Sequence, residues 1–247
     1  FISPSFSSNK AQFGDLGVDK ADVFKPTKDC IDKALAILEE ERDEWEDYLN
    51  EMKVYKMMIN ERKRIGNFSN NDIDIMNDLL DENGEKIIKP VWKRKIIRSP
   101  QILLVLDDVL NSPALLLSSG LTRLATLNRH MGEISEENGG GSLGIAVMIL
   151  SQTYSTTNGI SRCIREQITQ LILFENKQKK QIDKIKDELA SAVDEDKFMT
   201  AYNYAIQKKH DNLTIDFNAK CPTKVFRRNL NELIIFEDSL KECNCKK

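Results

Sequence analysis

The sequence contains little glycine, little proline and no long apolar run. There are 11 Gly and 6 Pro among 247 residues, while hydrophobic and charged residues make up 40% and 30% of the chain. This composition is typical of a folded globular protein and excludes collagen-like, low-complexity and disordered chains. No apolar stretch approaches the roughly 20 residues that a membrane-spanning helix needs, and the first residues lack a signal-peptide pattern. We therefore expect a cytosolic protein with one large domain, or one domain with an added subdomain.

An excess of charge of either sign is also missing. The 36 basic and 39 acidic side chains leave a formal net charge of -3. Such a balance offers no general attraction for nucleic acid, because binding to a phosphate backbone depends on concentrated positive charge. A nucleic-acid partner would therefore need a local basic site.

Cysteine is scarce as well. The chain has five cysteines, and only Cys243 and Cys245 lie close together in sequence. A structural zinc site usually takes two such pairs, so the spacing argues against zinc. We expect these residues to be reduced thiols.

A heptad pattern of apolar residues extends from about residue 26 to residue 65. It predicts a long amphipathic helix or a helical hairpin. The residues that recur every seven positions are Ile31, Leu38, Trp45, Met52 and Ile59. Two roles are open: a structural arm that packs on the main domain, or a contact with a partner or another subunit.

The next segment, residues 66 to 90, is rich in Asn and Asp. It lacks the residue order of an EF-hand and predicts a surface loop or short helix.

Two adjacent aspartates follow the most apolar stretch of the chain. The run ILLVL lies between Pro100 and Asp107–Asp108, which is typical of a central strand in a parallel sheet that is covered on both faces. Ligands of such sheets bind at the carboxyl ends of the strands. A magnesium ion and a water molecule would explain both acids, with Asp107 in the ion's coordination shell and Asp108 orienting or deprotonating the attacking water. The alternative is a pair of acids that caps the next helix.

A helix, a turn and a second strand are predicted next. The stretch SSGLTRLATLNRHMGEI predicts a helix that ends near Arg129 and His130, and NGGGS predicts a flexible connector. LGIAVMIL predicts a second buried strand, which ends in the polar residues SQT. In a β-α-β unit with a right-handed crossover, Gln152 of that tip would lie near the aspartates at the same edge.

Several basic residues could approach phosphate groups. Ser161 is predicted to cap a helix that carries Arg162 and Arg165, and LILF after it predicts another buried strand. Arginine suits phosphate because of its planar set of donors, although a surface role is the alternative. The further candidates, each with a solvated surface as the alternative, are Lys93, Arg94, Lys95 and Arg98 before ILLVL, and Lys177, Lys179 and Lys180 in a later helix.

The ordered succession of these motifs resembles a known family. ILLVLDD, LNRH, a strand ending in SQ, IRE followed by LILF, and KVFRRNLNELIIF resemble the genome-packaging ATPases of poxviruses and related large DNA viruses. That family belongs to the FtsK and HerA class of P-loop motors, and the likeness covers about residues 101 to 236. It implies an α/β fold with a largely parallel central sheet flanked by helices, here with a long helical insertion. It also implies ATP-driven packaging of double-stranded DNA into a viral capsid.

The resemblance assigns roles to individual residues. Asp107 corresponds to the Walker B acid at Mg²⁺, and Asp108 to the catalytic acid. Gln152 corresponds to the polar sensor of the γ-phosphate or the water, Arg165 to an arginine finger, and Arg129 to the second candidate for that role. Lys177, Lys179 and Lys180 would follow the DNA backbone. The implied cofactors are ATP and Mg²⁺, and the implied partners are double-stranded DNA, identical subunits in a ring, and capsid proteins, in the host cytoplasm at the virus assembly site or in the virion.

The resemblance also predicts how the chain is divided into segments. Residues 1 to 25 are expected to be a remnant strand and connector, 26 to 98 the helical insertion and acidic loop, 99 to 238 the ATPase core, and 239 to 247 a tail. The phosphate-binding motif G-x-x-x-x-G-K-[ST] is absent, which leaves little to hold the β- and γ-phosphates. We expect this motif to lie upstream of Phe1. The alternative is a degenerate, non-catalytic relative that acts as a scaffold or interaction module.

Overall fold

The chain has two compact units, Phe1–Leu150 and Ser151–Lys247, each with its own sheet. The computed structural model describes residues 1–4, 14–15, 17–60, 69–84, 86–109, 112, 119–155, 160–189 and 193–242. Both helices and strands occur in each unit, so the predicted mixed α/β class is confirmed.

The first unit is built on a parallel pair of strands. Strand β1 (Ile102–Asp107) pairs with β2 (Ile145–Leu150), in a register that runs from Ile102 opposite Ile145 to Asp107 opposite Leu150. Helix α3 (Ser119–Leu127) and a 3-10 turn (Asn128–His130) lie between them in sequence. The predicted order of strand, helix and parallel strand is therefore confirmed.

A short N-terminal segment lies beside β1. Ile2 forms parallel bridges with Leu106 and with Phe24. Its N–H donates to the carbonyl of Val105 at 2.8 Å, and its own carbonyl accepts from the N–H of Asp107 at 2.9 Å. Ile2 is fully buried as a result. Ile2 thus makes isolated parallel bridges, but Phe1–Pro4 do not form a full strand, and Ser5 lies outside the described residues.

Helix α1 (Cys30–Asn60) is the longest element of the first unit. Its 31 residues span about 46 Å at the usual rise per residue. The seam formed by Ile31, Leu38 and Trp45 is buried within the same unit. This burial favours the interpretation of α1 as a structural arm. Helix α2 (Asn70–Asp78) follows, and it begins with a capping box between Ser69 and Asp72. For the acidic segment we predicted either a surface loop or a short helix, and the structure has the short helix.

An aromatic cluster fixes α1 to the segment that precedes β1. The ring of Trp92 lies 4.9 Å from that of Trp45 and 5.2 Å from that of Tyr48, measured between centroids. All three side chains are buried, and the partly buried side chains around them include Leu49 and Met52. The heptad seam therefore packs mainly against its own unit.

One face of the β1–β2 pair is partly open. Residues that are paired in a parallel register lie on the same face, and Leu104, Leu106 and Ile145 form the buried one. On the other face Leu103, Met148 and Leu150 keep 54%, 40% and 43% of their surface exposed. The prediction that these strands are covered on both faces is wrong in the described part of the chain. An apolar run does not by itself reveal whether both of its faces are covered.

The second unit contains an antiparallel sheet, so the prediction of a largely parallel sheet holds only for β1 and β2. Its strands β3 (Gln170–Phe174), β4 (Asn212–Asp216), β5 (Phe226–Arg228) and β6 (Glu232–Leu233) are antiparallel in that order. LILF does form a strand, but an apolar run is compatible with neighbours of either direction. The helices of this unit are α4 (Arg162–Arg165), α5 (Lys179–Leu189), α6 (Glu195–Ala205) and α7 (Glu237–Glu242).

Two further expectations concern cysteine and membranes. Cys30 and Cys163 are free thiols, but Cys221 is disulfide-bonded, so the expectation of reduced thiols throughout is wrong.

Among the described helices none is long and apolar enough to span a bilayer.

Candidate active-site aspartates and basic residues

Asp107 is held at the end of β1 by the N-terminal segment. The bridge between Ile2 and Leu106 places Ser3 beside Asp107 on the same face of the strands. The Ser3 hydroxyl donates to Oδ2 of Asp107 at 2.8 Å, and Ser3 is fully buried whereas Asp107 is half-buried. The carboxylate is therefore oriented by a hydroxyl that belongs to a neighbouring segment of the chain.

Asp108 leaves the strand in a left-handed conformation. Its φ is 49°, a value that Asp adopts more readily than most residues with a Cβ. Its N–H donates to the carbonyl of Leu150 at 3.2 Å, which extends the pairing of β1 with β2 by one residue. The two acids therefore have different surroundings, because Asp107 is half-buried and Asp108 is exposed.

The oxygen atoms at this strand end suit a magnesium ion. Mg²⁺ prefers oxygen ligands, and enzymes commonly hold it with one or two carboxylates while water and substrate phosphates complete the shell. Ser3 and Asp107 supply a hydroxyl and a carboxylate in contact with each other. The described residues contain no group of three or more His, Cys, Asp or Glu that could hold a metal ion alone. Ser3 and Asp107 alone would therefore supply only part of the coordination shell of such an ion.

Gln152 follows the end of β2 by two residues and is exposed. It belongs to the second unit, whereas the aspartates belong to the first. Its predicted proximity to Asp107 and Asp108 therefore stays a prediction.

Arg165 is engaged within the second unit. Its Nε and Nη2 donate to the two carboxylate oxygens of Glu188, each at 2.9 Å. Its Nη1 donates to the carbonyl of Ile160, and the guanidinium lies over the ring of Tyr154 at 5.2 Å. Only 10% of the Arg165 side chain is exposed. To reach a phosphate, Arg165 would have to exchange this two-point ion pair for the new anion.

The pKa values of the groups around Arg165 follow from these contacts. Burial acts to raise the pKa of Glu188, but hydrogen bonds from Arg165 and Tyr154 outweigh it and leave the pKa below its usual value. Burial, followed by the hydrogen bond to Glu188, raises the pKa of the Tyr154 hydroxyl far above its usual range. The cluster therefore holds one anion and one cation at neutral pH. Sequence reasoning did not identify Glu188, because nothing in the pattern of α5 distinguishes it from other solvated acids.

The remaining candidate cations are exposed. Arg129 lies in the 3-10 turn after α3, and its side chain takes part in no ion pair within the described residues. Lys177, Lys179 and Lys180 lie just before and at the beginning of α5, and all three are exposed. Their predicted contact with DNA remains a prediction.

The basic segment before β1 is only partly neutralised. Lys93 pairs with Glu41 and Glu44 of α1, and Arg94 pairs with Glu41 at 2.5 Å. Lys95 and Arg98 have no ion-pair partner among the described residues. This segment therefore keeps two exposed cations, Lys95 and Arg98, that are not neutralised by an acid of the described residues.

Comparison of the chain with protein-family models, with curated proteins and with solved structures finds no match in any of the three.

Proposed function

We propose that this chain is part of an ATP-driven translocase that packages double-stranded DNA into a viral capsid. The observation that supports this proposal best is the pair of acids at the carboxyl end of β1. Asp107 is oriented by Ser3 at 2.8 Å, and Asp108 follows it in a left-handed conformation. Polar groups at the ends of parallel strands are typical of nucleotide sites in α/β proteins.

Each acid has a distinct part in the proposed hydrolysis. Asp107, with the Ser3 hydroxyl beside it, would hold the magnesium ion, which supplies neutralisation of the negative charge on the transferred phosphoryl group. Asp108 would orient the attacking water and accept its proton. Gln152 is proposed as the sensor that contacts the γ-phosphate or the water. The phosphate loop that must hold ATP is absent from this sequence.

Of the two candidate arginine fingers, Arg129 is the better supported. A finger must reach the phosphates of a neighbouring subunit, so it needs an exposed guanidinium. Arg129 is exposed, whereas Arg165 is committed to Glu188 and to the carbonyl of Ile160. In the proposed ring Arg129 therefore acts in trans and Arg165 stabilises its own unit. The DNA substrate, the capsid proteins and the site of assembly in host cytoplasm or virion rest on the ordered succession of motifs.

The proposal is tested with Asp107→Asn and Asp108→Asn in the full-length protein. Each substitution keeps the shape of the side chain but removes its charge, so DNA-stimulated ATP hydrolysis should fall at least about a hundredfold. Asp74→Asn is the matched control, because Asp74 is an exposed acid on α2. Hydrolysis that persists in either aspartate variant at the rate of the control refutes the role given to that residue.

The alternative function is a non-catalytic scaffold or interaction module. It requires a partner for α1, but the seam of α1 is buried from Ile31 to Trp45, and only Ile59 near the end of α1 is 47% exposed. A scaffold would also tolerate the loss of both aspartates. A start codon directly before FISPSF would favour this alternative, whereas a strand, the motif G-x-x-x-x-G-K-[ST] and a helix in that region would favour the motor.

A further inference from the structure

The segment that leads into β1 combines positive charge with exposed aliphatic side chains. Residues 86 to 106 contain no Asp or Glu, in a chain that has 39 of them. The stretch includes six basic residues, namely Lys86, Lys89, Lys93, Arg94, Lys95 and Arg98. Within it Val91, Ile96 and Ile97 keep 87%, 62% and 65% of their surface exposed. We call residues 91 to 99 the basic loop.

The basic loop is anchored at both ends and exposed between them. Trp92 is buried in the aromatic cluster, and Pro100 is buried before β1. Lys93 and Arg94 are tied to Glu41 and Glu44 of α1. The residues from Lys95 to Ser99 are all exposed. The firm anchors mean that the exposed side chains are presented at a defined place on the first unit.

A cavity in this loop is lined by groups that favour an anion. Its volume is about 260 Å³, and its lining residues are Arg94, Lys95, Ile96, Arg98, Ser99 and Gln101. Of the three cations in the lining, Arg94 is paired with Glu41, whereas Lys95 and Arg98 have no ion-pair partner among the described residues; a hydroxyl and an amide complete the polar lining. Guanidinium groups match the geometry of phosphate oxygens. The chemistry of the cavity therefore fits a phosphate group.

The aliphatic side chains decide which phosphate-bearing partner is favoured. A nucleic-acid backbone offers phosphates but no apolar surface for isoleucine, and single strands are usually bound through aromatic side chains. The surface of an anionic bilayer offers phosphate headgroups together with an apolar interior just below them. Ile96 and Ile97 lie directly between Lys95 and Arg98, so a pair of apolar side chains has a cation on each side.

We propose that the basic loop docks this protein on the surface of an anionic lipid bilayer. Lys95 and Arg98 bind lipid phosphates, and Ile96 and Ile97 enter the boundary between the headgroups and the acyl chains. The docking is peripheral, because the loop is a short exposed segment and forms no spanning helix. This proposal does not depend on ATP hydrolysis or on the roles of Asp107 and Asp108.

The test is co-sedimentation of the whole chain with vesicles of phosphatidylcholine alone and of a roughly 3:1 mixture with phosphatidylserine. We expect binding to the mixed vesicles only. Lys95→Gln with Arg98→Gln should weaken that binding roughly twenty-five-fold, since each cation near an anionic surface contributes about a fivefold effect. Ile96→Ser with Ile97→Ser should weaken it at least roughly tenfold, through lost apolar burial.

Two control variants match these changes in charge and in apolar area. Lys208→Gln with Lys209→Gln removes two exposed cations from the second unit, and Leu230→Ser with Leu240→Ser removes two exposed leucines there. Both controls should bind the mixed vesicles like the unchanged protein. Thermal unfolding of every variant verifies that the fold is kept.

Three results would overturn the proposal. One is a failure of the unchanged protein to bind the mixed vesicles. Another is an equal loss of vesicle binding in the control variants. The third comes from a parallel titration with a DNA duplex: if DNA binding requires Lys95 and Arg98 but is indifferent to Ile96 and Ile97, and vesicle binding is absent, the basic loop is a nucleic-acid surface.

Discussion

At the scale of single residues, the contrast between neighbours matters most. Asp107 and Asp108 are adjacent, yet one is half-buried against a fully buried serine and the other is exposed in a left-handed conformation. Two chemically identical carboxylates gain different properties only from their surroundings. The different burial of Asp107 and Asp108 therefore allows them different roles. The proposed division between metal binding and water activation assigns one role to each of these two environments.

Arg165 gives a prediction at the same scale. Replacing it with Met should lower the free energy of unfolding by about 1–2 kcal/mol at pH 7, because Glu188 loses its two-point partner. The loss is smaller than for a fully buried pair, since 31% of the Glu188 side chain is exposed. Arg162→Met is the control: the Arg162–Glu166 pair is 84% and 57% exposed, and its loss should cost less than about 0.5 kcal/mol. Urea denaturation measures both.

The pH dependence of this effect follows from the lowered pKa of Glu188. A carboxylate with a lowered pKa in the folded state contributes stability that is fully present above its unfolded value, about 4.3, and is lost as the pH falls through the folded value. The difference between the unchanged protein and Glu188→Gln should therefore be constant from about pH 6 to pH 8 and shrink below about pH 4. A difference that grows on acidification would contradict this account of the cluster.

At the scale of elements, the aromatic cluster joins α1 to the basic loop. Trp92→Ala should lower the free energy of unfolding by about 3–5 kcal/mol, through lost contacts and the cavity left behind. Trp92→Phe should cost much less, because the Nε1 hydrogen of Trp92 is buried without an acceptor among the described residues, and its removal also removes an unpaired donor. Val91→Ala is the control, since Val91 is 87% exposed. A cost for Trp92→Phe as large as that for Trp92→Ala would contradict this account.

At the scale of the whole molecule, contacts are concentrated inside two units. Regions whose contacts are mainly internal open as separate cooperative units. We therefore expect Trp92→Ala to speed hydrogen exchange at the amides of β1 and β2, while the amides of Leu213 and Ile215 in β4 keep their protection. Mass-spectrometric exchange measures this difference. A uniform loss of protection over residues 1 to 242 would mean that the chain unfolds as one cooperative unit.

Much of the secondary structure follows from local pattern. The heptad period predicts α1, whereas ILLVL and LGIAVMIL predict β1 and β2 because short apolar runs bounded by turn-forming or polar residues favour strands. The parallel pairing of β1 with β2 also follows, since a helix in the connection favours parallel neighbours. The direction of β3 does not follow, because it depends on pairing with β4, a strand that begins 38 residues after β3 ends.

The features of the candidate site likewise fall into those that the sequence determines and those that only the tertiary structure decides. The sequence alone determines that two acids follow an apolar run, that a basic stretch without acids precedes it, and that the motif G-x-x-x-x-G-K-[ST] does not occur in these residues. Only the tertiary structure decides that Ser3 orients Asp107 across a separation of 104 residues, and that Arg165 is bound to Glu188 while Arg129 is exposed. The physical reason is that periodicity and turn chemistry act between neighbours in sequence, whereas hydrogen bonds, ion pairs and burial depend on side chains that folding brings together from distant positions.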